Sequence, residues 1–148
     1  MTDDIESMGP VDYLVVEFPG GRMTGEGLPL LVDLVDRGII RILDVAFVRK
    51  EQDGSVVGMS IEDAGALAGQ NVTVFAGASS GLLGGDDIEE AGAALEPGSV
   101  AGILVYENVW AAPLATAIRR GGGQLVAGGR IPVQAILAAL DATESAAA

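Results

Sequence analysis

The chain has 148 residues, enough for one domain with a hydrophobic core. It contains no His and no Cys, and its only Lys is Lys50, which excludes Ser-His-Asp and Cys-His catalysis, His or thiolate zinc sites, disulfides and iron–sulfur clusters. Eight basic and 21 acidic residues give a net charge of −13, which opposes binding to nucleic-acid backbones and to anionic lipid. We therefore predict neither a nucleic-acid partner nor a cofactor.

The first half of the chain has a strand-helix-strand pattern. Residues 11–18 (VDYLVVEF) are apolar, β-branched or aromatic, and Pro19-Gly20-Gly21 ends them, which predicts a buried strand. A helix is predicted from Thr24 or Gly25 to Arg37, because apolar residues recur there at helical spacing and Gly38 provides a stop. Residues 39–48 (IIRILDVAFV) predict a second strand, and Asp53-Gly54 predicts a hairpin to residues 55–60.

The second half repeats the pattern. Residues 99–107 (SVAGILVYE) predict a strand, residues 110–120 a helix ended by three glycines, and residues 124–127 a short strand. Two further helices are predicted over residues 86–95 and from Pro132 to about Leu140.

Two tandem βαβ units predict an α+β fold of the ferredoxin-like type, with a four-stranded sheet and both crossover helices on one face. We place a single domain at residues 10–142, with a Gly-rich insertion and hairpin extension at 50–98 and a C-terminal helix. Residues 1–9 are expected to be a flexible acidic N-terminus, and 143–148 a flexible tail. The other sheet face needs a cover, either one of the remaining helices or a second subunit.

The insertion contains 22 residues without a charge, AGALAGQNVTVFAGASSGLLGG, between Asp63 and Asp86. Small residues recur there at every fourth position: Gly65, Gly69, Thr73, Gly77, Gly81 and Gly85. Three interpretations stay open: a Gly-rich loop with a short strand around 72–75, a helix that packs on protein through the stripe, or a membrane-inserted helix. Gln70, Asn71 and the lack of flanking bases argue against membrane insertion.

Three acids in or beside predicted strands are candidates for chemistry. Asp44 interrupts an apolar strand, and burying it requires a partner, which we expect to be an arginine in an intersubunit or inter-element salt bridge, or else a ligand. Strict alternation places it on the face of Ile42 and opposite Arg41. Glu17 and Glu107 end two central strands, but these strands are predicted to be antiparallel, so the two acids should lie at opposite edges of the sheet. We expect an arginine or a backbone N–H beside Glu17.

Weaker signals lie in loops and at helix starts. Arg22 and Thr24, in the loop after the first strand, could hold an anion, although a plain capped turn is the favoured interpretation. Trp110 either anchors a partner or covers the sheet edge. The acids at 86–90 are typical of a helix start and need no metal. A bound ligand would draw on Glu17, Arg22, Thr24, Tyr106 and Glu107.

Three segments, MGPVDYLVVEFPG, ALEPGSVAGILVYENVW and RRGGGQLVAGGRIP, resemble the actinobacterial proteins of unknown function classed as DUF6325. The resemblance covers roughly residues 8–140 and extends to the DUF1269 group, in which a glycine-zipper segment precedes a similar strand entry. It implies a small αβ protein, sometimes labelled a membrane protein, and it assigns no catalytic residues.

Four functions follow as hypotheses. The leading one is a non-enzymatic acidic protein, cytoplasmic because acids replace the basic start of an export signal, that binds itself or another protein through the glycine stripe, Asp44 and Trp110. The second is a small-molecule sensor that binds its ligand between the sheet and residues 64–85, near Asp44 and Tyr106. The third is an enzyme that uses Glu17, Glu107 or Asp44 with Tyr13 or Tyr106, with or without magnesium. The fourth is membrane association through residues 64–85.

Overall fold

The structure is a computed structural model that describes residues 7–22, 25–68, 75 and 81–147. The chain divides into two compact units, Met1–Ala117 and Ile118–Ala148. The strands are β1 (Val11–Phe18), β2 (Ile40–Lys50), β3 (Val56–Met59) and β4 (Val100–Asn108). The α-helices of the described residues are α1 (Gly27–Asp36), α2 (Ile61–Ala68), α3 (Gly85–Ala93), α4 (Ala112–Arg120) and α5 (Val133–Ala147). The predicted α+β class is confirmed.

The four strands form one antiparallel sheet in the order β1-β4-β2-β3. Side chains of paired residues lie on the same face, so the register divides the sheet into two surfaces. The front face carries Tyr13, Val105, Asp44, Val48 and Val56, whereas the back face carries Leu14, Leu104, Val45 and Phe47. The predicted antiparallel pairing of the strands that end in Glu17 and Glu107 is confirmed.

The fourth strand of the sheet is β3, which forms the predicted hairpin with β2. Gly54 has a φ of 90°, a conformation that favours glycine, and its N–H donates to the carbonyl of Glu51 at 3.0 Å. Within this turn the hydroxyl of Ser55, and then its backbone N–H, donate to Asp53 and lower the pKa of that carboxyl.

The predicted strand over residues 124–127 is wrong, because these residues have no strand structure and Leu125 and Val126 are exposed. Glycines flank this short segment on both sides, and their conformational entropy opposes an extended conformation that no neighbouring strand supports. The ferredoxin-like connectivity, which required this strand, stays a prediction. In the same unit α5 is longer than predicted and exposes Ile136, Leu137 and Leu140.

The core lies on the front face, where Val48, Leu95 and Ala101 pack together with Val56 and Ile88. Helix α3 lies close to β3 at Gly92, because a Cβ at this position would be only 2.5 Å from a methyl group of Val56. On the back face Phe47 meets the buried ring of Phe75 edge to face, with centroids 5.8 Å apart.

A β-bulge interrupts β2 between Ile42 and Asp44. Ile42 pairs with Tyr106 and Asp44 with Val105, so Leu43 is the extra residue and its two neighbours lie on opposite faces. The expectation that Asp44 shares a face with Ile42 and lies opposite Arg41 is therefore wrong. Arg41 and Asp44 both lie on the front face.

The close approach at Gly92 gives a stability prediction. Gly92→Ala should destabilise the fold by about 1–3 kcal/mol, because the stiff side chain of Val56 cannot move aside, although alanine favours the helix by about 1 kcal/mol. Gly85→Ala, in the same helix but with nothing near its Cβ position, is the matched control and should cost nothing. Urea unfolding measures both, and equal stability of the two variants would contradict the packing.

Candidate functional site

Glu107 is a buried carboxylate that binds both an arginine and a backbone amide. Its Oε1 lies 2.9 Å from Nη2 of Arg41, and its Oε2 accepts a hydrogen bond from the N–H of Gly9 at 2.8 Å. The side chain is only 7% exposed, whereas that of Arg41 is 57% exposed. Glu107 thus holds the segment before β1 against the end of β4.

Asp44 is buried on the front face, and its carboxylate is bound by backbone amides. Its Oδ1 accepts from the N–H of Val45 at 2.9 Å, and its Oδ2 accepts from the N–H of Leu83 at 3.0 Å. The expected inter-element salt bridge is not found among the described residues, where Arg41, on the same face, pairs with Glu107 instead, and the intersubunit alternative stays a prediction. The bulge therefore makes Asp44 an anchor for the segment that begins at Leu83.

Glu17 makes a third contact of this kind. Its Oε2 accepts from the N–H of Glu96 at 2.8 Å, which confirms the expectation of a backbone or arginine partner. Glu17 pairs in register with Ala101, whereas Glu107 pairs with Val11 at the other end of the same two strands. The two acids are therefore not a carboxylate pair, as the sequence predicts.

The three front-face carboxylates, here called the anchor acids, are Glu17, Asp44 and Glu107. Each accepts a backbone N–H, and Glu17 and Glu107 lie at opposite ends of the β1–β4 pair, an arrangement typical of structural carboxylates. Tyr106, proposed with Asp44 for a ligand, is buried on the back face, so the sheet separates the two side chains. Within the described residues, no three acids lie close enough together to hold a metal ion.

A groove of about 480 Å³ opens on the front face, between β1 with β4 and residues 82–91. Its floor is apolar and includes Val15, Ile103 and Val105, and its opposite wall includes Leu82, Leu83 and Ala91. Two acidic residues of the opposite wall, Asp87 and Glu90, line it as well, together with Tyr13 and with Asp12, whose side chain belongs to the back face. The groove is thus an apolar surface beside negative charge, which the sequence alone did not reveal.

Strand β1 forms one edge of the sheet. Because Asn108 donates its N–H to the carbonyl of Pro10, the even-numbered residues of β1 bond to β4. The backbone N–H and C=O groups of the odd-numbered residues therefore point away from the sheet: Val11, Tyr13, Val15 and Glu17. Tyr13 is 72% exposed, so β1 presents both unpaired backbone groups and apolar side chains within the described part of the chain.

The glycine stripe does not lie on one continuous helix. Gly65 is buried in α2, Gly81 has a φ of 80°, and Gly85 begins α3. Gly69 and Gly77, and the expected strand around 72–75 except for Phe75, lie outside the described residues. The expected close packing is absent at Gly81 and Gly85, which have open space at the Cβ position, and is found instead at Gly9 and Gly92.

Trp110 and Arg22 are not among the residues that line the groove. Trp110 is 66% exposed, and its indole Nε1 donates to Asn108 at 3.3 Å, so it covers little of the sheet. Arg22 is exposed, and Thr24 lies outside the described residues. The anion-binding loop therefore stays a prediction.

The contacts of Glu107 predict that its ion pair with Arg41 stabilises the fold more than the exposed pair of Arg49 with Glu51 does. Glu107→Gln should destabilise the fold by about 1–3 kcal/mol, because one carbonyl oxygen cannot satisfy both Arg41 and the amide of Gly9. Glu51→Gln, which breaks the exposed pair with Arg49, is the control and should cost less than about 1 kcal/mol. Denaturant titration at pH 7 measures both, and equal costs would refute the anchoring role.

No helix in the described ranges has the length and apolar character needed to cross a membrane. Comparisons with the curated proteins and with the solved structures give no match. A family model described as a family of unknown function, DUF6325, matches residues 7–146, nearly the entire sequence. The chain, with its antiparallel sheet and anchor acids, therefore belongs to the DUF6325 family.

Proposed function

We propose that this protein acts by binding a second copy of itself, and that strand β1 is the binding surface. The observation that carries the proposal is the edge of β1, which pairs with no further strand in the described ranges and whose odd-numbered backbone groups point outward. Such an edge pairs readily with another extended strand, because every N–H and C=O group gains a partner.

Strand β1 lacks most of the features that protect edge strands from pairing. It is eight residues long, its register with β4 has no bulge, and it contains no Lys and no Pro. Its two acids already accept hydrogen bonds within the chain, Asp12 from Asn108 and Glu17 from Glu96. The opposite edge, β3, is only four residues long.

The limited core also supports association. Within the described residues, the largest side chains that are fully buried are Val48 and Ser99. Val11, Val15 and Val16 on β1 are each more than 40% exposed. Covering these side chains in a dimer would bury additional apolar area, at about 25 cal/mol per Å².

A matched pair of edge variants tests the proposal. Val15→Lys on β1 should raise the dimer dissociation constant about tenfold or more, because a lysine on an edge strand opposes pairing. Val57→Lys on β3 has the same native exposure, 41%, and the same change in charge, and should leave the constant unchanged. Sedimentation equilibrium over a concentration series measures both, with thermal unfolding to verify folding.

Two results would contradict the proposal. A wild-type chain that remains monomeric at high micromolar concentration would refute self-association. A dimer weakened equally by both lysine variants would show that β1 is not the surface.

The groove favours a second candidate function, the binding of a small amphipathic amine. Its volume of about 480 Å³ lies within the range of ligand sites, and its apolar floor suits an alkyl chain. The carboxylate of Glu90 and the phenol of Tyr13 suit an ammonium group, through charge and through cation–π attraction.

A comparison of two ligands with the same alkyl chain and different charge tests this candidate. Hexylamine should raise the melting temperature of the wild-type chain more than hexanol does, because a ligand of the folded state stabilises it. Glu90→Gln should remove most of this difference, whereas Glu89→Gln, at the neighbouring position outside the groove lining, should retain it. Equal shifts with the amine and the alcohol would reject the ammonium site.

A further inference from the structure

We propose that the two copies pair through β1 in one particular register, antiparallel about a two-fold axis that passes beside Leu14. This inference rests on the proposed self-association and specifies its geometry. It joins the two sheets of the dimer into one continuous eight-stranded sheet, with the front faces of both copies on the same side.

The direction of the backbone groups limits the registers that are available. Because the odd-numbered residues of β1 point outward, an antiparallel partner must place odd-numbered residues opposite odd-numbered residues. A two-fold axis then lies beside Tyr13, Leu14 or Val15 if the strands are to overlap over most of their length.

Two of these three registers lose hydrogen bonds at the strand ends. An axis at Val15 places Val11 opposite the partner's Pro19, which has no N–H to donate. An axis at Tyr13 places Glu17 opposite the partner's Gly9, whose N–H already donates to Glu107. Neither register can therefore pair all four outward residues.

The axis at Leu14 pairs all four outward residues: Val11 with the partner's Glu17, and Tyr13 with the partner's Val15, each twice by symmetry. This register forms about eight backbone hydrogen bonds between the copies. Asp12 lies opposite the partner's Val16, so no acid faces another acid despite the charge of −13 on each copy. The self-complementarity of this register favours a second β1 as the partner strand.

Cysteine scanning reads the register directly, because the natural chain has no Cys. In an antiparallel pair that does not exchange hydrogen bonds, the Cα atoms of facing residues are about 4.5 Å apart, within the range that a disulfide spans. Leu14→Cys should therefore shift to a band of twice the chain mass under mild oxidation without reductant. Asp12→Cys and Val16→Cys should each remain monomeric on the gel, because each lies about 13 Å along the strand from its own symmetry mate.

Leu14 is half-buried, so a misfolded Leu14→Cys chain would fail to cross-link whatever the register. A second variant therefore avoids this position. Asp12→Cys with Val16→Cys in one chain changes only exposed positions and should cross-link, because each thiol faces the other on the partner. Failure of both this double variant and Leu14→Cys, in a wild-type chain that sedimentation shows to be dimeric, would overturn the register and leave self-association intact.

Cross-links at other positions would indicate a different register, or a different segment paired with the β1 edge. Strongest linkage of Tyr13→Cys or Val15→Cys would move the axis by one residue and overturn the proposal. Linkage of Leu14→Cys to a separate Leu125→Cys chain, in place of linkage to itself, would assign the edge to residues 124–127 and also overturn it. A monomeric wild-type chain would refute the register and the proposed function together.

Discussion

The arrangement of the first unit depends on carboxylates that accept hydrogen bonds from distant backbone amides. The anchor acids, Glu17, Asp44 and Glu107, join strands to the segments at Glu96, Leu83 and Gly9. A buried carboxylate requires donors, and a chain with only eight basic residues supplies few of them as side chains. The backbone supplies them here, so the acidity of the chain contributes to its architecture as well as to its surface charge.

Two of these anchors fix both ends of the groove wall. Asp44 binds the start of the wall at Leu83, and Glu17 binds the chain just beyond it at Glu96. Between them α3 lies against Val56 at Gly92. The groove is therefore largely preformed, and among the described strands only β4 pairs with β1. The two candidate functions share β1 but use different parts of it: side chains for a ligand and backbone groups for a second copy.

Local sequence patterns predict most of the helices and strands, but they do not predict contacts between residues that are far apart in the chain. The bounds of β1 match the prediction because an apolar run meets Pro19-Gly20, a signal within a few residues. Helix α2 was missed, although Ser60, whose hydroxyl accepts the N–H of Asp63, is a readable cap signal before Glu62 and Asp63. The acids were identified as candidates, but their partners lie 39 to 98 residues away and depend on register. The edge of β1 could not be predicted, because the sequence pattern indicated a further strand over residues 124–127 that the structure does not contain.

The bulge at Leu43 has a consequence for comparing relatives of this chain. Because Leu43 is an added residue between two correctly paired neighbours, a relative with one residue fewer in β2 can retain every cross-strand pair. An alignment of such a relative should place its gap at Leu43. A gap elsewhere in β2 would exchange the two faces for the intervening residues, and it would match an anchoring aspartate to a position on the wrong side of the sheet.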